Sequence, residues 1–141
     1  RAERYDLFTG DGRIPGLGPS YFTKLLYFFS PDDAGCYILD KWTARSVVLL
    51  LGTKIVRVNA EGNLQNSNTG ENYELFCRVV EDLAEQFDPQ ILPDEVEQRL
   101  FSTGGLRRVH RGPWRQQVVD EWGDLDLRRY NHQRVLQLLD E

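Results

Sequence analysis

Cysteine is scarce in this sequence of 141 residues. Cys36 and Cys77 are the two present, and they lie far apart, outside any Cys-x-x-Cys or clustered Cys/His spacing. This pattern argues against a structural zinc site and against a disulfide framework, so we expect no metal and no cofactor. Two unpaired thiols also favour a reduced, intracellular environment, and we therefore expect a cytoplasmic protein.

Long apolar runs are absent as well. The most apolar stretch, residues 46–51, is bounded by Arg45 and Gly52, whereas a membrane span needs roughly 18 apolar residues. Hydrophobic residues still make up 40% of the chain, which is enough to build a core. We therefore expect a soluble protein with one compact core and no membrane partner.

Methionine is missing altogether, and the chain begins at Arg1 without a signal-like apolar stretch. These two features predict a processed, truncated or fragmentary N-terminus. N-terminal helices of the fold would then be missing.

Positive charge is depleted in the middle of the chain, and the net charge is -5. Residues 1–58 contain eight Lys and Arg against six Asp and Glu, residues 59–102 contain two against ten, and residues 103–141 contain seven against six. Binding to nucleic acid requires lysine and arginine at the phosphates. The two ends of the chain can supply such a surface, and the middle is expected to face solvent or a partner.

The hydrophobic pattern predicts a mainly α-helical protein. Apolar residues at three- and four-residue spacing are clearest over residues 69–87. A helix opens at Pro93, where acids follow the proline, and Gly104-Gly105 is expected to end it. We expect a helical domain over residues 1–104, and a basic loop and helix over residues 105–141 packed on the same domain. The predicted segments are helices over residues 2–8, 20–29, 38–51, 69–87 and 131–139, and a basic loop over residues 107–115.

A glycine-rich turn precedes the second predicted helix. Gly16, Leu17 and Gly18 lead directly into apolar sequence, with Ser20 in the first turn. Glycine allows positive φ and a close backbone approach, and the free amides at a helix N-terminus suit a phosphate oxygen. A plain turn between helices is the alternative for an isolated Gly-x-Gly.

Asp40 lies at a characteristic distance from this turn in the sequence. The turn, an apolar helix, an aspartate opening the next helix and Arg45 five residues later together resemble the helix-hairpin-helix Gly/Pro-Asp DNA glycosylase superfamily. The strings Gly-Leu-Gly-Pro-Ser-Tyr-Phe-Thr-Lys-Leu-Leu-Tyr-Phe and Ile-Leu-Asp-Lys-Trp-Thr-Ala-Arg look closest to a bacterial branch described as 8-oxoguanine DNA glycosylase OGG-fold proteins. The resemblance covers residues 9–101, strongly in its first third.

This resemblance implies a helix-hairpin-helix domain that removes 8-oxoguanine or a related modified base from double-stranded DNA. It assigns the essential aspartate to Asp40, which would stabilise positive charge on the deoxyribose. The alternative is that Asp40 caps its helix, and both roles can coexist. The predicted DNA contacts are Gly16, Leu17, Gly18, Ser20 and Arg45, although a structural ion pair is the alternative for Arg45.

Strand cleavage by a superfamily member requires a lysine nucleophile, and Ser20 occupies the position where many relatives have it. Lys24 lies one helical turn further along the same face and is the remaining candidate for AP-lyase chemistry. We expect the apolar flank of Phe22, Leu25 and Phe28 to desolvate its ammonium. A snorkelling side chain or a partner for Asp40 is the alternative.

Several aromatic residues are candidates for holding an extruded base, although core packing is the commoner use of such side chains. Two further functions remain open at the level of sequence. One is a non-catalytic DNA-binding module that retains the hairpin, and the other is a helical protein-interaction domain. The aromatic candidates are Tyr21, Tyr27, Trp42, Tyr73 and Phe76, and the candidate phosphate contacts in the basic loop are Arg107, Arg108, His110, Arg111 and Arg115.

Overall fold

The computed structural model describes residues 1–31, 34–87, 89–101, 103–104 and 110–122. Within these ranges the protein is mainly α-helical, as predicted. The predicted helix over residues 131–139 lies outside the described residues, as do Arg107 and Arg108. The described elements are α1 (Ala2–Thr9), α2 (Pro19–Phe29), α3 (Lys41–Leu51), α4 (Gly70–Gln86), α5 (Pro93–Phe101), β1 (Thr103–Gly104), β2 (His110–Arg111) and α6 (Pro113–Trp122).

Helix α4 is the centre of the core, and its predicted periodicity is confirmed. Helices α1 and α5 both pack against it. The ring of Tyr5 in α1 lies 5.0 Å from that of Tyr73 in α4 and 4.8 Å from that of Phe22 in α2, which fixes α1 and α2 onto the core through aromatic contacts. The buried side chains of α4 are Tyr73, Phe76, Cys77, Val80, Leu83 and Ala84.

Helix α3 begins at Lys41, three residues later than the predicted start at residue 38. Asp40 has extended backbone angles (φ -116°, ψ -176°) and forms a capping box with Thr43, since the Asp40 amide donates to Thr43 Oγ1 at 2.9 Å. A reciprocal cap of this kind fixes the first helical residue. The helix ends at Leu51, and the C-cap residue Gly52 adopts the left-handed region at φ 61°, where glycine has no steric cost.

Helix α6 replaces part of the predicted basic loop, and the loop prediction is wrong for residues 113–115. Trp114 and Val118 are buried in the core, where α6 packs against α3 and α5. The Trp114 indole Nε1 donates to Ser46 Oγ at 2.9 Å, and Ser46 Oγ donates to the Leu100 carbonyl at 2.8 Å. Helix α5 ends at Phe101, three residues before the Gly104 at which its end was predicted.

Two short strands complete the described architecture. Strands β1 and β2 pair antiparallel, with Gly104 opposite His110. A single bridge joins Val58 and Leu64 in the connection between α3 and α4. No helix in the described ranges combines the length and the apolar character needed to cross a membrane.

Candidate active site and hairpin

The predicted hairpin connects α1 to α2. Gly16 adopts φ 81°, a region that favours glycine, and the Leu17 amide donates to the Ile14 carbonyl at 3.0 Å. Gly18 is the N-cap of α2 with no side-chain cap, and Pro19 follows as the first helical residue. Within the described part of the chain, nothing accepts a hydrogen bond from the Ser20 amide. The hairpin therefore presents a free backbone donor at the positive end of a helix.

A cleft of about 310 Å³ lies beside this hairpin. Its walls include Gly16, Gly18 and Ser20 from the hairpin and first turn of α2, together with Leu64 and Asn66 from the connection after α3. Four of the five predicted contact residues, Gly16, Leu17, Gly18 and Ser20, are thus brought to one concave surface. A phosphate oxygen entering the cleft would meet the N-terminus of α2.

Asp40 lies at the N-terminus of α3 with 9% of its side chain exposed. Its Oδ1 accepts hydrogen bonds from the amides of Trp42 at 2.7 Å and Thr43 at 2.9 Å. Its Oδ2 accepts none from any residue in the described ranges. One oxygen therefore performs the capping role while the second is available for a ligand, so capping and chemistry do not compete.

Asp40 and Lys24 line one cavity of about 280 Å³, together with Ile38, Glu97 and Phe101. The two catalytic candidates predicted from the sequence are therefore brought together by α2 and α3. Lys24 itself is exposed, and its Nζ lies 5.9 Å from the centre of the Tyr21 ring.

The apolar flank expected to desolvate Lys24 does not enclose it. Phe22 is buried in the core at 1% exposure, Leu25 is 38% exposed and Phe28 is 68% exposed. One member of the predicted flank thus faces the interior and two face solvent, so the expectation of a desolvated ammonium is wrong.

Glu97 is the site residue that sequence reasoning missed. It lies on α5 and lines the same cavity as Asp40 and Lys24, with 6% of its side chain exposed. Burial, together with the carboxylates of Asp40 and Asp94, raises the pKa of Glu97 to about 7, and Lys24 opposes them. A signal was present, because Glu97 precedes the inward-facing Leu100 by three residues and shares its face of the helix.

Residues 1–101 match the family described as "Putative 8-oxoguanine DNA glycosylase OGG-like protein". The chain belongs to this OGG-like family. No curated protein and no solved structure matches it. The resemblance inferred from the hairpin and Asp40 is confirmed at the level of the family, and the match includes α1 through α5 with every residue of the cavity.

Arg45 of this OGG-like protein lies away from both clefts. Its Nε donates to the Gly62 carbonyl at 3.2 Å, and its Nη2 donates to the Glu61 carbonyl. The guanidinium lies 5.1 Å from the ring centres of both Trp42 and Trp122. Backbone carbonyls and aromatic faces therefore hold Arg45. Its contact with DNA stays a prediction.

The aromatic residues predicted to hold an extruded base lie in different environments of this OGG-like protein. Tyr73 and Phe76 are fully buried core residues. The ring of Trp42 packs under the guanidinium of Arg115 at 3.7 Å. Tyr21 is 63% exposed and lies beside Lys24, and it lines the hairpin cleft rather than the cavity of Asp40.

Metal-binding groups are not assembled in the described part of this OGG-like protein. No three His, Cys, Asp or Glu side chains group there in an arrangement able to hold an ion. Cys36 and Cys77 are buried free thiols, and burial raises the pKa of Cys77 to about 12. A buried thiol of this kind is chemically inert.

The hairpin of the OGG-like protein provides a direct test of DNA contact. Replacing Gly16 with alanine places a side chain at φ 81°, which we expect to lower the free energy of unfolding by about 1 kcal/mol. We also expect affinity for a DNA duplex to fall about fivefold, since one distorted phosphate contact is worth about 1 kcal/mol. Fluorescence anisotropy at constant salt measures the affinity.

Gly52→Ala is the matched control, because Gly52 has a comparable positive φ of 61° but lies outside both clefts. We expect its affinity to remain within twofold of the wild type. Equal DNA affinity of both variants and the wild type, with both variants destabilised, would show that the hairpin makes no contact with DNA.

Proposed function

We propose that this protein is a DNA glycosylase that removes 8-oxoguanine or a related modified base from double-stranded DNA. The observation that carries the proposal is that Asp40 lines a cavity with Lys24, while its Oδ2 accepts no hydrogen bond from any residue of the described ranges. Membership of the OGG-like family supports the same chemistry.

The proposed reaction breaks the bond between C1′ of deoxyribose and the nitrogen of the base. The target nucleotide must leave the helical stack before it reaches the cavity. The free amide of Ser20 and the N-terminus of α2 are suited to hold the neighbouring phosphate. Positive charge then develops on the sugar, and the carboxylate of Asp40 stabilises it.

Lys24 extends this proposal to strand cleavage. Its Nζ would attack C1′ and form a covalent adduct with the sugar, in the role that Ser20 cannot perform. Lys24 lies at the exposed edge of the cavity, where it can meet a nucleotide without rearrangement of the core. In this route the base departs as Nζ bonds to C1′, so base release and strand cleavage share the Lys24 adduct.

Asp40→Asn tests the proposed function. Asparagine retains an oxygen for the α3 cap but loses the negative charge, so we expect the fold to persist and base release to fall about 100-fold. The measurement is single-turnover release of 8-oxoguanine from a labelled duplex, with an undamaged duplex of the same sequence as substrate control.

Asp11→Asn is the matched control, because Asp11 is an exposed aspartate in the hairpin that lines neither cleft. We expect it to release base at the wild-type rate. Duplex binding by the wild type without any base release would favour the non-catalytic DNA-binding module, and the absence of both would favour an interaction domain.

A further inference from the structure

Glu97 is a charged residue at a buried position of α5. Its neighbours Val96 and Leu100 are apolar and fully buried. No hydrogen bond to the Glu97 carboxylate is made by any residue of the described ranges. A buried carboxylate without a donor is costly, and buried polar side chains are normally bonded. Its open direction is the cavity that it shares with Asp40 and Lys24.

Three charged groups face Glu97 from the elements around the cavity. Asp40 faces it from the N-terminus of α3, Lys24 from α2, and Asp94 from its own helix. Burial has the largest effect on the pKa of Glu97, and the two carboxylates raise it in the same direction. The pKa of Glu97 near 7 means that both its charged and its neutral form are populated at neutral pH, which is the condition for efficient proton transfer.

We propose that Glu97 is the proton-transfer residue of this site, accepting a proton from the Lys24 ammonium and delivering it to the departing base. This inference rests on the glycosylase function proposed above. The geometry supports it because Glu97, Lys24 and Asp40 line one cavity large enough for a sugar. Asp40 has no equivalent freedom, since its Oδ1 is held by two backbone amides.

Proton transfer and base release take place in three steps, in which charges and bonds are conserved. The Glu97 carboxylate takes a proton from the Lys24 ammonium, which leaves a neutral amine. The amine lone pair forms a bond to C1′ while the bond from C1′ to the base nitrogen breaks, and its electron pair departs with the base. The base then takes the proton from the Glu97 carboxylic acid, and the carboxylate is restored.

Single-turnover release of 8-oxoguanine between pH 5 and pH 9 tests the proposal. We expect the wild-type rate to rise with pH through about 7, as Glu97 loses its proton. In Glu97→Gln we expect the rate to fall about 100-fold and the rise near pH 7 to disappear. Glu97→Asp retains a titratable carboxyl, so we expect it to recover part of the rate and the rise.

Glu95→Gln is the matched control, because Glu95 lies on the same helix but pairs with Arg99 at 2.9 Å outside the cavity. We expect the wild-type rate and pH profile. Borohydride reduction adds a second measurement, in which a covalent complex with wild-type protein should be lost in Lys24→Ala and reduced about 100-fold in Glu97→Gln.

The outcomes distinguish failure of the Glu97 proposal from failure of the proposed glycosylase function. If the wild type releases base and Asp40→Asn does not, while Glu97→Gln keeps the wild-type rate and profile, the role of Glu97 is wrong and the glycosylase function stands. A slower Glu97→Gln with an unchanged pH profile assigns Glu97 a structural role and also overturns the proposal. A complex that is still trapped in Lys24→Ala overturns Lys24 as the proton source. Failure of the wild type to release base overturns both proposals.

Discussion

Replacing Trp114 with alanine is expected to lower the free energy of unfolding by about 3 to 5 kcal/mol. Trp114 is 2% exposed and is the largest of the fully buried side chains in the described residues. Its removal leaves a cavity between α6 and α3, and it deprives Ser46 Oγ of a donor at 2.9 Å. Urea unfolding at constant pH measures the change.

Trp114→Phe separates the effect of the cavity from the effect of the lost hydrogen bond. Phenylalanine fills most of the volume but donates no hydrogen bond, so we expect a loss of about 1 to 2 kcal/mol. Trp122→Ala is the control for a tryptophan of the same helix that is only partly buried, and we expect a smaller effect than for Trp114→Ala. A loss below 1 kcal/mol in Trp114→Ala would mean that α6 does not belong to the core.

Glu97→Gln is expected to make the protein more stable than the wild type at pH 8, by about 3 kcal/mol. Folding raises the pKa of Glu97 from about 4.5 to about 7, and each pKa unit corresponds to about 1.4 kcal/mol. Between these pH values the folded protein binds a proton that the unfolded chain has lost. The free energy of unfolding of the wild type therefore falls as pH rises from about 4.5 to about 7.

Glutamine does not titrate. The difference in free energy of unfolding between the wild type and Glu97→Gln therefore isolates the contribution of Glu97 titration. We expect their free energies of unfolding to be nearly equal at pH 4.5, to diverge as pH rises, and to differ by a constant amount above about pH 8. Glu95→Gln is the control, with a difference within about 0.5 kcal/mol at every pH. A constant difference between wild type and Glu97→Gln across this range would contradict a raised pKa in the folded state.

Strong periodicity made most of the fold predictable from sequence. The helix predicted over residues 69–87 is Gly70–Gln86 in the structure, because its apolar residues return every three or four positions. The start of α3 was less predictable, since Ile38 and Leu39 are apolar yet precede the cap. A short apolar pair fits a buried extended segment as well as a helix, and tertiary packing decides between them.

Helix α6 was obscured by its charge. Pro113 carries the same start signal that identified α5 at Pro93, and Trp114 and Val118 have helical spacing. The arginines before and within this segment favoured a solvated loop instead. In the structure Arg115 is buried, with its guanidinium over the ring of Trp42 and its Nε donating to the Phe101 carbonyl at 3.0 Å. Such a partner from a distant helix cannot be inferred from local sequence.

The candidate site was predictable in part. The hairpin and Asp40 are local features with a recognisable spacing, and Lys24 follows from helical geometry. Glu97 was not identified, because it lies in an acidic helix that also contains Asp94 and Glu95, and charged runs are usually solvated. Its burial depends on the packing of α5 against α3 and α4, which becomes known only from the three-dimensional structure.

The cap formed by Asp40 determines which substitutions at position 42 would change the direction of its carboxylate. The carboxylate is aimed by two peptide hydrogens, those of Trp42 and Thr43, and every amino acid except proline supplies one. Side chains at position 42 can therefore change without turning the carboxylate away from its cavity. Proline at position 42 would remove one of these hydrogens outright. The direction of the carboxylate is set by the backbone amides of residues 42 and 43, while the Trp42 ring serves the packing against Arg115.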